Sequence, residues 1–175
     1  MTINSKTAEE QAIMNAAHAL CAAIRTAPKA CGIDHLETAI VTGPEKDAIT
    51  AEMRRLSSNG DSILVRDAGN VDLSHAVVLV GAKEEPRGLE ERCQLCHFEN
   101  CGACQNSNAI CVFTPLDLGI AVGSAVAMAA HMHIDNRIMF TIGKAASSLG
   151  LLGEHKLIMG IPLSVSGKSV FFDRK

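Results

Sequence analysis

The stretch His75–Ala82, HAVVLVGA, decides the fold class of this chain. It is an uninterrupted run of β-branched and other apolar residues, which is typical of a central strand buried on both faces. Helical and extended patterns lie on either side of it, but they do not alternate regularly. We therefore predict a single α+β domain over residues 1–175.

The flanking sequence supplies the other predicted elements. A capping box at Thr7–Glu10 predicts the start of an amphipathic helix that ends before Pro28. A second helix is predicted from Pro44 to the Asn59-Gly60 stop. Strands are predicted at 35–43, 62–67, 136–143, 155–163 and 168–174, and further helices at 116–133 and 144–152.

Composition excludes several classes of partner. The chain has 175 residues, 47% hydrophobic and 20% charged, with a formal net charge of −3. This balance gives no reason to expect nucleic acid or an anionic membrane, and the absence of Trp and Tyr removes the usual platform for stacking bases. The N-terminus has no signal pattern and the apolar stretch 118–130 is too short to span a bilayer, so we expect a cytoplasmic protein.

Five of the seven cysteines lie in one polar stretch at 93–111, CQLCHFENCGACQNSNAIC. Cytoplasmic thiols stay reduced, and apolar packing does not concentrate five cysteines among Asn, Gln, Glu and Gly. We therefore predict a metal-binding loop inserted in the domain. Its spacing is Cys93-x2-Cys96-x4-Cys101-x2-Cys104-x6-Cys111.

The spacing leaves two kinds of centre open. Zinc would suit two C-x-x-C pairs, Cys93 with Cys96 and Cys101 with Cys104. Four residues between the pairs is a tight link, however, and an iron–sulfur cluster accepts ligands from one wrapping loop plus a more distant cysteine. The adjacent His97 is interpreted as a solvent-facing loop residue rather than a ligand.

Within the loop, CQLCHFENC resembles the C-x-x-C-G-x-x-x-C opening of 4Fe-4S domains in anaerobic redox proteins. This resemblance implies Cys93, Cys96, Cys101 and Cys111 as the cluster ligands. Cys104 is the alternative fourth ligand, as it would be in the zinc arrangement. The C-x2-C-x2-C-x3-C-P run is absent, which excludes a standard two-cluster ferredoxin.

The C-terminal half carries a second resemblance. Four segments following the cysteine loop are similar to a functionally unassigned family of prokaryotic proteins that contain a ferredoxin domain; they are 117–121 (DLGIA), 135–139 (DNRIM), 160–163 (GIPL) and 173–174 (DR). This family has no assigned activity, so the resemblance supplies none. Taken with the cysteine loop, our first hypothesis is an iron–sulfur redox protein that carries one 4Fe-4S cluster and passes electrons to a flavin or to a partner protein.

A weaker resemblance is to the FMN-dependent nitroreductase fold. A helix, then Ala27-Pro28, a loop and a strand follow the layout of its flavin loop, with Lys29 where that family has Ser. The resemblance implies a nitroreductase-like scaffold and a homodimer with FMN at the interface. The basic candidates for contact with FMN are Arg25, Lys29, Lys168 and Arg174.

Two alternatives to an electron carrier remain. One is a non-catalytic binding or regulatory module stapled by zinc, and the other is a flavin-dependent reductase in which the loop is structural. The sequence has no Walker loop, no G-x-S-x-G and no G-x-G-x-x-G after a strand, so the usual grounds for a hydrolase or a dinucleotide-binding enzyme are missing. Whether the chain is an enzyme stays open, and no catalytic residue is assigned.

Overall fold

A computed structural model describes residues 2–57 and 60–172. Within these ranges the chain forms a four-stranded sheet covered by helices. The elements in chain order are α1 (Ser5–Thr26), β1 (Leu36–Val41), α2 (Gly43–Leu56), α3 (Ser62–Asp72), β2 (Ala76–Ala82), α4 (Cys101–Asn106), α5 (Phe113–His131), β3 (Asp135–Asn136), α6 (Phe140–Ser148) and β4 (Leu157–Ser164).

The sheet has the order β1-β2-β4-β3, and every neighbouring pair of strands is antiparallel. β2 therefore lies between β1 and β4, and each of its seven residues is buried. The prediction that HAVVLVGA is a central buried strand is confirmed. Its uninterrupted apolar run reflects helices on both faces of the sheet, because a strand with one wet face would alternate with polar residues.

Helices on the two faces divide the core into two clusters. Val78 and Val80 of β2 point to the side packed by α1 and α5, whereas Val77 and Leu79 point to α2, α3 and α6. This division follows from the two-residue period of side chains along a strand. By length and composition α5 is the one helix of the described chain that could cross a membrane, yet its Leu118 face packs in the core.

The first helix begins earlier than predicted. The side chain of Asn4 accepts a hydrogen bond of 2.9 Å from the backbone N–H of Thr7, so Asn4 is the N-cap and Thr7 lies inside α1. Asn is among the best N-cap residues, and the capping-box pattern drew the boundary three residues too far along the chain.

Three of the predicted strands are wrong. Residues 62–67 begin α3, because Asp61 caps the N–H of Ile63 and Leu64, Ala68 and Val71 form a buried helical stripe. Within 136–143, residues 140–143 begin α6, only Asn136 belongs to a strand, and Met139 forms an isolated antiparallel bridge with Gly160. The described part of 168–174 forms turns.

Close packing of α6 on β4 explains the second of these differences. A Cβ on Gly143 would lie 1.7 Å from the carbonyl oxygen of Ile158, and a Cβ on Gly160 would lie 2.2 Å from Cγ2 of Ile142. Both positions therefore require glycine. The sequence gives little sign of this contact, since Gly143 looked like the end of a strand.

Candidate metal centre

The cysteines lie in the connection between β2 and α5, residues 83–112. This segment consists of turns, a short 3-10 turn at Glu90–Arg92 and the single-turn helix α4. Four non-glycine residues in it have positive φ: Glu90, Gln94, His97 and Asn108. Such backbone conformations cluster where a chain is shaped around a functional site. His97 is exposed.

All five loop thiols line one cavity. The lining is mainly apolar, and it includes two of the five phenylalanines of the chain, Phe98 and Phe113. The full set of lining residues is Pro86, Arg87, Leu89, Glu90, Cys93, Gln94, Cys96, Phe98, Asn100, Cys101, Cys104, Cys111, Val112 and Phe113. The structure thus brings together every cysteine that the spacing singled out.

Cys104 is the most enclosed of these thiols, at 2% exposed. The pKa of its thiol is raised to about 11, first by burial, then by a hydrogen bond and charge from Cys96, and then by Cys111 and Cys101. These four sulfurs are therefore neighbours. Ionisation of Cys104 beside thiolates at the other three positions is therefore disfavoured unless a cation is present.

The thiols surround the cavity without meeting at one point. Within residues 2–57 and 60–172, no three side chains of His, Cys, Asp or Glu are placed to hold a single metal ion. The donor set itself is of the soft sulfur type that zinc and iron–sulfur clusters accept. The residues present therefore fit either group by their chemistry.

Polar contacts hold the loop around the cavity. Asn100 caps α4 by accepting a 2.8 Å hydrogen bond from the N–H of Ala103. The carboxylate of Glu90 accepts from the N–H of Cys101 at 3.3 Å. Both contacts fix the turn that presents Cys101 and Cys104.

A buried ion pair forms part of the cavity wall. Nε and Nη2 of Arg87 donate to Oδ2 of Asp117 at 3.1 and 2.9 Å, and each side chain is 1% exposed. The other carboxylate oxygen of Asp117 accepts from the N–H of Ala30 at 2.9 Å. Nη1 of Arg87 lies 2.7 Å from Nδ1 of His35 and donates to the carbonyl of Glu85.

Sequence reasoning missed Arg87, because it lies in a stretch, KEEPRGL, that reads as a polar linker. The available signal was Asp117, a lone carboxylate in the first turns of an otherwise apolar helix. A buried carboxylate requires a cationic or hydrogen-bonding partner. Because α5 contains no Lys or Arg, a cationic partner for Asp117 has to come from outside the helix.

The basic residues assigned to FMN have other contacts. Nζ of Lys29 donates to the carbonyls of Ile24 and Arg25 at 2.9 and 2.5 Å, which caps the end of α1. Arg25 donates to Asp34 and to the carbonyl of Leu36. These bonds use Nζ of Lys29 and Nη1 of Arg25.

The other two candidates for FMN contact do not join that group. Lys168 is exposed in the turn after β4, where its carbonyl accepts from the hydroxyl of Ser166. Arg174 lies outside the described residues. The structure therefore gathers Arg25 and Lys29 around Asp34 at the end of α1.

Comparison with protein families places the C-terminal part of the chain. Residues 107–174 match the family described as "Uncharacterized protein containing a ferredoxin domain (DUF2148)". This range includes Cys111 but not the four cysteines before it. An uncharacterized protein of Archaeoglobus fulgidus is 40% identical over 182 residues, which cover 99% of this chain and 98% of that protein.

Solved structures with the same fold are nitroreductases. A nitroreductase with bound FMN from Bacteroides fragilis has a TM-score of 0.58 at 12% identity, covering 100% of this chain and 84% of that one. A putative nitroreductase in complex with FMN from Desulfovibrio desulfuricans has a TM-score of 0.58 at 13% identity, covering 92% and 78%. At such identity the likeness concerns the fold alone.

The Archaeoglobus relative extends the likeness over nearly the whole length of both proteins. This chain therefore belongs to the family of proteins containing a ferredoxin domain, and it has the nitroreductase fold.

Proposed function

We propose that this member of the ferredoxin-domain family is an iron–sulfur redox protein that holds one 4Fe-4S cluster and passes electrons to a partner. The observation that carries the proposal is the gathering of five thiols around one largely apolar cavity. The family description supports the iron–sulfur assignment. When bound, such a cluster supplies one-electron transfer, at a potential set by burial and by hydrogen bonds to its sulfurs.

The proposed ligands are Cys93, Cys96, Cys101 and Cys111, with Cys104 competing for the fourth position. Cys111 is buried and lies two residues before α5 begins at Phe113. Cys104 is also buried and has Cys96, Cys101 and Cys111 as neighbours. Both thiols therefore remain credible, and substitution separates them.

The role of this chain's own residues is to bind the cluster and to exclude water from it. Leu89, Phe98 and Phe113 form an apolar wall at the cavity. The low dielectric of such a wall disfavours added negative charge, which lowers the reduction potential. The turn contacts of Glu90 and Asn100 orient the sulfurs.

Elemental analysis of the protein purified without oxygen tests the proposal. We expect a brown protein with about four iron and four sulfide per chain, the composition of one such cluster. A colourless preparation with stoichiometric zinc and neither iron nor sulfide would overturn it in favour of a zinc-stapled module.

A homodimer in the cytoplasm is part of the proposal. Supporting it, α5 exposes Leu116, Ile120 and Met128 at 51, 40 and 37%, along with the small residues Gly119 and Gly123. Apolar residues exposed along one helix face favour association with another protein surface. Sedimentation of the wild type and of Ile120→Glu tests it: we expect a dimer for the first and a monomer for the second.

A second candidate function is a flavin-dependent reductase, because structural neighbours are described as FMN complexes. The bonds of Arg25 and Lys29 within the chain count against it. Anaerobic titration with FMN, followed by quenching of flavin fluorescence, separates the two candidates. Binding at low micromolar FMN would favour the reductase.

A further inference from the structure

The pair Arg87–Asp117 is unusual among the ion pairs that the described residues form. It is the one pair in which both side chains are 1% exposed. In Arg66–Asp67, by contrast, the carboxylate is 5% exposed and the guanidinium 44%. A fully buried pair is weak evidence for stability, because apolar residues of the same volume often serve as well or better. Its position therefore calls for another explanation.

That position is at the thiol cavity. Arg87 is a lining residue, on the segment that leads from β2 into the cysteine loop. Asp117 lies in the second turn of α5. It follows Cys111 and the cavity residues Val112 and Phe113 in the chain. The pair thus connects the two ends of the cysteine-bearing segment, and Arg87 lines the same cavity as the five thiols.

The pair is also anchored at its far side. Asp117 accepts from Ala30 in the loop after α1, and the guanidinium contacts His35 and the carbonyl of Glu85. His35 in turn lies 3.4 Å from the carboxylate of Glu85. These bonds leave the guanidinium little freedom to turn, so its charge is held at a constant place beside the cavity.

We propose that Arg87 is a positioning residue for the thiol centre and that Arg87 and Asp117 set its charge balance. The guanidinium favours negative charge on a cluster bound at the cavity, and the carboxylate of Asp117 opposes this effect. The inference rests on the proposed function.

Opposite charge changes at the two residues make the test. Arg87→Met leaves a buried carboxylate, so we expect the midpoint potential of the anaerobically purified protein to shift to more negative values. Asp117→Asn leaves a buried cation and should shift it to more positive values. The double variant, with neither charge, should return toward the wild type. Asp67→Asn, which removes a buried carboxylate of the other helical layer, is the control and should not move the potential.

The outcomes are distinguishable. Potentials that move in the same direction in both single variants, or that do not move while iron content is unchanged, would overturn the inference. If Arg87→Met does not fold, Asp117→Asn and the double variant decide it. If the wild type binds neither iron nor sulfide, the proposed function fails and the inference fails with it. If the wild type binds the cluster and its potential does not respond to the two charge changes as expected, the inference alone fails.

Discussion

In β2 all seven residues are buried, whereas the segment 83–112 buries three of its thirty: Arg87, Cys104 and Cys111. The three belong to the thiol cavity. Apolar packing on both faces therefore stabilises the sheet, whereas the buried residues of the loop are thiols and an ion-paired arginine. The two regions should respond to different substitutions, and four experiments test how far they are independent.

Loss of a ligand should produce the largest effect. In Cys101→Ala we expect iron to fall from stoichiometric to background, because a cluster short of one thiolate is not retained. The thermal unfolding midpoint of the metal-free protein should stay within the error of the wild type, since the core clusters do not include Cys101. Iron analysis and calorimetry measure the two effects. A collapse of the unfolding midpoint would show that loop and sheet are one unit.

Substitution of the two competing cysteines should come next. We expect Cys111→Ala to lose most of its iron and Cys104→Ala to keep most of it, measured per folded chain under anaerobic conditions. The reverse pattern would make Cys104 the fourth ligand and favour the paired zinc-type arrangement. Because both residues are buried, the loss of packing is similar in the two variants.

A third experiment perturbs the sheet instead of the loop. Gly143→Ala places a methyl group against the backbone carbonyl of Ile158 and should destabilise the protein by about 3 kcal/mol or more. For a chain of this size the unfolding midpoint would fall by about 6–12 °C. Iron content per folded molecule should not change.

Gly69→Ala is the matched control for that experiment. Its Cβ would have no neighbour within 4 Å, and it lies in the interior of a helix. Alanine is favoured over glycine there by about 1 kcal/mol, so the midpoint should rise. A fall of similar size in both variants would contradict the explanation from close packing.

The smallest expected effect is a pH dependence of the free energy of unfolding, caused by Glu52 in α2. Hydrogen bonds from Arg55 and Ser148 lower the pKa of Glu52 from 4.5 to about 2. A depressed pKa in the folded state stabilises the protein above the ordinary pKa, and this contribution is lost as pH falls from about 4.5 to about 2. Glu52→Gln should therefore flatten the acid limb of stability against pH.

Urea unfolding of metal-free protein between pH 6 and 2 measures this effect. Glu10→Gln, which changes an exposed carboxyl of α1, serves as the control. An acid limb of equal slope in the wild type and in Glu52→Gln would contradict the assignment to Glu52.

Much of the sheet's architecture could be predicted from sequence because it follows from periodicity. HAVVLVGA, the strand at 157–164 and the helices at both ends of the chain have enough residues to establish a pattern. The first six residues of α3, SILVRD, resemble a strand when taken alone. The helical spacing of Leu64, Ala68 and Val71 emerges only over the full length of the helix.

The cysteine site was predictable in composition but not in geometry. Spacing alone selected all five cysteines that line the cavity. Spacing could not decide whether Cys104 or Cys111 is the fourth ligand, because the burial of both depends on how residues 86–89 and the start of α5 fold around the cavity. Arg87 was hidden for the same reason: 30 residues separate it from Asp117, and no local pattern connects them.

That separation has a consequence for how the cofactor is acquired. By joining Arg87 to Asp117, folding closes a ring of chain that contains all five thiols. Closing a flexible ring of this length costs about 3 kcal/mol in chain entropy. Folding of the domain bears this cost before any metal arrives. The metal-free chain should therefore already confine its sulfurs, so that a cluster can be released and rebuilt on a folded scaffold.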